Sequence, residues 1–89
     1  MFNLVRVMKS VNMAVDAILD PKYKKLLMRI SKNIKKARIA HGLTQEEMTQ
    51  KGFNYRHYQK LESGTYSFTL HTLQRLALAL NVEIKTFFD

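Results

Sequence analysis

Between Asn54 and Ser63 the chain sets Arg56, Gln59 and Lys60 among three aromatic or imidazole side chains, Tyr55, His57 and Tyr58. On a helix with Tyr58 and Leu61 facing inward, Tyr55, Arg56, Gln59, Lys60 and Ser63 face outward. Arg and Gln form bidentate hydrogen bonds to guanine and adenine edges in the major groove of DNA. Tyr and Lys add apolar contact or phosphate binding. Acidic or apolar residues on that face would point to a protein surface instead. The chemistry is that of reading duplex DNA with a helix of about residues 54–63.

Such a face works only if other elements hold it, and the sequence shows four helix starts in one repeated pattern. Leu43 precedes Thr44, with Met48 five residues beyond Leu43. Phe53, Asn54 and Tyr58 repeat that spacing, as do Phe68, Thr69 and Leu73, and then Val82, Glu83 and Phe87. This is the spacing of a hydrophobic staple, which packs the residue before an N-cap against the fourth helical residue. Thr44 and Glu47 also make a capping box. Glu83 is a poor cap, so the last helix is the weakest of the four. Leu70, Leu73, Leu76, Ala77 and Leu80 predict a core stripe for the helix after Thr69.

Upstream, Asp20-Pro21 reads as an N-cap followed by a first-turn proline. A long helix is predicted to follow to about Ala40. Its apolar face is Tyr23, Leu26, Leu27, Ile30, Ile34 and Ala37, and Gly42 is its stop. Before it, Leu4, Met8, Val11, Val15 and Ile18 form one helical stripe, predicting an amphipathic helix from about Asn3 to Leu19. The alternative for that end is a frayed extension.

A chain of 89 residues makes one small domain, and 46% hydrophobic residues suffice for a folded core. There is no Cys, which excludes disulfides, a cysteine nucleophile and thiolate metal sites, and fits a reducing cytoplasm. The formal charge of +8 attracts polyanions. From Pro21 to Arg38 there are eight Lys or Arg and no acid. A solvated helix face is the plain reading of that run. A basic peptide lying on a membrane is another, less apt because the same helix is needed for the core. No apolar run is long enough to span a membrane or to serve as a secretory signal. His41, His57 and His71 lack metal-site spacing. No pair of acids reads as general acid and base, and no glycine-rich phosphate loop exists. Neither an enzyme nor a cofactor is expected.

Residues from about Ile30 to Phe88 resemble the helix-turn-helix domains of the phage repressor, Cro and Xre type. The resemblance rests on Ile34-x-x-Ala37-Arg38, Gly42-Leu43-Thr44-Gln45-Glu46-Glu47-Met48, Gly52-Phe53-Asn54, Leu61-Glu62-Ser63-Gly64 and Leu73-x-x-Leu76-Ala77-x-Ala79-Leu80. It implies base contacts by Tyr55, Arg56, Gln59 and Lys60. It implies phosphate contacts by Gln45, Asn54, Ser63, Thr65 and Tyr66, with Gln45 also bracing the reading helix. Arg38 and Glu62 occupy positions that form a partly buried salt bridge in several members. The chain departs from the family in three places. It is one residue short between Gln45 and Glu62, near Lys51-Gly52. It has Thr49 where a small residue usually packs, and Phe68 where Pro is common.

The expectation is therefore an all-α, five-helix, repressor-like helix-turn-helix domain over residues 21–89, with an amphipathic extension over 1–20. Its expected role is that of a cytoplasmic, prokaryotic or phage-type transcriptional regulator of the Xre and phage-repressor kind, bound to double-stranded DNA as a homodimer. The N-terminal stripe Leu4, Met8, Val11, Val15 and Ile18 is the first choice of dimer surface, and Phe87-Phe88 the second. The rival reading is an antitoxin-like or adaptor module that uses the fold as a scaffold for a protein partner.

Overall fold

In the computed structural model, residues 20–89 are described. The expected N-terminal helix, with Leu4, Met8, Val11, Val15 and Ile18, lies outside the described residues. Helix α1 spans Pro21–Ala40. The Asp20 carboxylate accepts the amides of Lys22 and Tyr23 at 3.1 and 3.2 Å, and Pro21 costs the first turn no donor. Gly42, at φ 81°, turns the chain out of the helix. The inward face is Leu27, Ile30, Ile34 and Ala37, joined by Ser31 and Arg38. Two residues expected on that face lie off it. Leu26 is exposed, about 100° round the helix from Leu27. Tyr23 is half-buried, and its hydroxyl is hydrogen-bonded to that of Ser67.

The next segment starts with the capping box. The Glu47 amide donates to Thr44 Oγ1 at 3.1 Å, and the Thr44 amide to Glu47 Oε1 at 2.9 Å. The segment then winds as a 3₁₀ helix, Glu46–Lys51, rather than as an α-helix. A 3₁₀ helix covers more length per residue. At about 2.0 Å rise, six residues make two turns and span about 12 Å, where six α-helical residues span about 9 Å, which more than makes up the length of the one missing residue. Gly52, at φ 91°, closes the segment. Thr49 does not pack inward. It is exposed and donates its hydroxyl to the Glu46 carbonyl at 2.7 Å.

Helix α2, Tyr55–Ser63, is capped by Asn54, whose Oδ1 accepts the His57 amide at 3.0 Å. Helix α3, Leu70–Ala79, is capped by Thr69, whose Oγ1 accepts the Thr72 amide at 3.1 Å. Asn81 takes the left-handed conformation at its end, and Val82 donates back to the Ala77 carbonyl at 3.0 Å. Glu83 makes no side-chain cap, and the segment it begins is only a short 3₁₀ helix, Ile84–Phe88.

The four staples converge on one core. Met48, Tyr58, Leu73 and Phe87 are each at most 4% exposed, and Leu43, Phe53, Phe68 and Val82 pack with them. The rings of Phe53 and Tyr58 meet edge-on at 5.9 Å. Leu76, Ala77 and Leu80 complete the α3 stripe, but Leu70 does not belong to it. As the first residue of α3 it projects past the edge of the core and is 69% exposed. Phe87 is core as well, so of the second candidate dimer surface only Phe88 is exposed. The Asn33 amide ties α1 to this C-terminal segment through the Phe87 carbonyl at 3.0 Å.

Candidate nucleic-acid interface

The end of α2 is pinned by a buried charge. Arg38 Nε lies 2.6 Å from Glu62 Oε2, and its Nη2 donates to Oε1 at 3.2 Å. Its Nη1 donates to the Leu43 carbonyl at 2.7 Å. Gln45 Nε2 adds a bond to Glu62 Oε1 at 2.9 Å. One carboxylate on α2 thus gathers α1 and the entry to the first motif helix, the 3₁₀ helix Glu46–Lys51. The side chains of the pair are 9% and 3% exposed. Burial opposes ionisation of Glu62, but the Arg38 and Gln45 donors and the adjacent Tyr58 hydroxyl outweigh it and hold the carboxyl below its ordinary value. The same hydrogen bonding to Glu62 raises Arg38. The Tyr58 hydroxyl is buried without a hydrogen bond of ordinary geometry, and burial pushes its pKa up.

The joint is closed from two further sides, by Arg75, which no motif had marked, and by Gly64, which ends the Leu61-Glu62-Ser63-Gly64 element. Arg75 on α3 donates from Nη2 to the Gly52 carbonyl at 2.9 Å and lies 4.6 Å over the Phe53 ring. Its only signal in sequence was a lone cation in the apolar run of α3. Gly64, at φ 77°, is buried, and a Cβ there would stand 3.2 Å from Met28 Cγ. Glycine is required at that point both by the left-handed backbone and by the close approach of α1.

On the outer side of α2, Tyr55, Arg56, His57, Gln59 and Lys60 are all exposed. At about 100° per residue, Arg56 and Lys60 each stand about 160° from Tyr58, straddling the outermost line. Gln59 lies on one flank with Tyr55, and His57 on the other. His57 was left out of the expected set, although its distance of one residue from Tyr58 already put it at the side of the helix. Lys60 Nζ sits 4.7 Å over the Tyr66 ring, which ties it to the following loop.

The residues expected at phosphate divide by what they already do. Gln45 spends its amide donor on Glu62. Asn54 spends its carbonyl on the cap of α2. Ser63 donates to the Lys60 carbonyl at 2.7 Å and accepts the Thr65 amide at 3.2 Å, forming the turn out of α2. Thr65 and Tyr66 are exposed beside it. The arrangement is a rigid, cationic helix face with its supporting contacts on the opposite side. Among the described residues, no three His, Cys, Asp or Glu converge as a metal site. No described helix is long and apolar enough to cross a membrane.

Comparison with known proteins gives the same picture. The profile of the helix-turn-helix family matches residues 34–87. The crystal structure of the restriction-modification controller protein C.AhdI from Aeromonas hydrophila superposes with a TM-score of 0.64 at 27% identity, covering 70% of this chain and 96% of that one. No curated protein matches the sequence.

Proposed function

The chain belongs to the Cro/C1-type helix-turn-helix family and is a DNA-binding transcriptional regulator, not an enzyme; from that premise we propose that it reads a specific operator as a homodimer. The observation that carries the reading is α2 itself, clamped through Glu62 while Arg56 and Lys60 lie exposed on the outermost line. Arg56 and Gln59 read base edges, with Lys60 and Tyr55 beside them. Thr65 and Tyr66 meet backbone phosphate. Gln45, Asn54 and Ser63 reach it only through atoms that their structural hydrogen bonds leave over.

A nine-residue helix reads few base pairs, so two copies on half-sites one helical turn apart, roughly 34 Å, supply the specificity. The stripe Leu4, Met8, Val11, Val15 and Ile18 is the proposed dimer surface. Removing residues 1–19 would then change the mass seen by light scattering from that of a dimer to that of a monomer; a monomer in both proteins, or a dimer in both, would sink that surface. The likeness to a restriction-modification controller makes restriction-modification genes the first place to seek an operator.

The decisive experiment is selection of binding sites from random duplex DNA. A two-fold-related sequence with that spacing is the expected product. Recovery of no enriched sequence would favour the rival reading, a scaffold for a protein partner.

A further inference from the structure

The basic run of α1 is more than a solvated face. Lys25, Arg29, Lys32 and Lys35 border an open cleft of about 510 Å³ where α1 passes the end of α2 at Glu62, Ser63 and Gly64. Lys25, Arg29 and Lys32 recur at four and three residues, so they share one side of the helix. Among the described residues, none of these four cations has a carboxylate within ion-pair distance. The one acid at the cleft, Glu62, is already engaged by Arg38 and Gln45. Its charge is balanced inside the joint, so it leaves the cationic field of the cleft largely intact.

A second, independent feature marks the same place. Ser31 lines the cleft at 2% exposure, and its hydroxyl has no hydrogen-bond partner. A buried hydroxyl without an acceptor is costly, and native structures rarely leave one so. A phosphate oxygen seated in the cleft would offer the acceptor that Ser31 lacks once its hydroxyl turns towards the cleft, and the counter-charge that the four cations lack. The glycine at position 64 keeps the cleft open towards Met28, where a side chain would crowd it.

We propose that this cleft between α1 and the end of α2 is a phosphate-binding site. Its occupant is a backbone phosphate of the bound duplex, next to the loop that carries Thr65 and Tyr66. The site therefore rests on the DNA-binding reading above and extends it, carrying the footprint past the major groove onto α1. The chemistry would serve a free phosphate group equally well, and the test separates the two sources.

The probes are duplex DNA at varied salt and inorganic phosphate alone, on the full chain. In the triple variant Lys25→Gln, Arg29→Gln, Lys32→Gln, the slope of log affinity against log salt should fall by about 1, equally for operator and random DNA. The control variant Lys22→Gln, Lys24→Gln, Lys36→Gln removes the same charge from α1 outside the cleft and should keep the parent slope. Ser31→Ala should weaken binding on all sequences while leaving the melting temperature unchanged or raised. With inorganic phosphate, saturable shifts of the Ser31, Ser63 and Gly64 amide resonances, lost in the first triple variant, mark the site. Such shifts together with an unchanged salt slope would assign it to a free phosphate ligand. Equal slope changes in both triple variants, or no slope change and no saturable shift, would overturn the proposal. A parent protein that binds no duplex DNA would instead remove the DNA-binding reading, and the phosphate titration would still decide the cleft.

Discussion

The inner and outer faces of α2 follow opposite rules. On the inner side, Tyr58 and Leu61 are buried, and Glu62 meets Arg38 and Gln45 at 2.6 to 3.2 Å. On the outer side, Arg56 and Gln59 are exposed, Arg56 and Lys60 make no ion pair among the described residues, and Lys60 rests on the Tyr66 ring. The contrast separates two tasks that share nine residues. The inner face sets the angle of the helix against α1 and the first motif helix, where a substitution costs stability. The outer face carries the residues proposed to select a sequence, where a substitution should cost recognition and leave the fold alone.

That separation can be broken, most severely at Glu62. Glu62→Ala leaves the Arg38 guanidinium buried without its partner, and should cost about 3–5 kcal/mol in urea unfolding. A loss under about 1 kcal/mol would mean that the inner face is not held by charge. Arg56→Ala comes next, on the other side of the comparison. It should cost about 1–3 kcal/mol in specific binding, with unchanged stability and little loss on random DNA. Equal loss on every sequence would make Arg56 a phosphate contact. Gly64→Ala belongs to the inner side, since it puts a side chain into left-handed backbone and 3.2 Å from Met28 Cγ. It should cost about 1–2 kcal/mol, read as a lowered melting temperature. An unchanged melting temperature would show that α1 gives way there.

The gentlest probe is acid. Glu62 is held below its ordinary value of 4.5, so its contribution is complete above that pH and is lost as pH falls through the lowered folded value. Urea midpoints followed from pH 7 downward should stay level for this group to about 4.5 and then decline. Glu62→Gln should flatten the decline; the same decline in both proteins would place its source elsewhere.

Much of the frame was legible because it is local. Each staple needs only residues five apart and one cap between them, so Leu43 with Met48, or Phe53 with Tyr58, is visible in sequence. The poor cap at Glu83 was visible in the same way, and a short 3₁₀ helix follows it. The partnership of Arg38 with Glu62 spans 24 residues and was expected only from the family resemblance. Its third member, Gln45, was expected to brace α2, and its amide does meet Glu62 directly. Arg75 on Gly52 and the approach of Met28 to Gly64 had no counterpart in spacing, because each joins two helices that the pattern treats separately. Leu70 misled for the complementary reason. Periodicity gives the face of a helix, not where the core beneath it ends.

By itself, the sequence determined that this chain folds as capped helices around one apolar core, and that α2 turns a cationic face outward. Caps, staples and helical periodicity act within a few residues, so they are written along the chain. Only the tertiary structure decided that the first motif helix winds as 3₁₀ and that Arg75 and Gly64 lock the turns on either side of α2. It also brought the lysines of α1 to the end of α2 around one cleft. These depend on which helix surfaces meet and at what distance, and that is settled when the core closes.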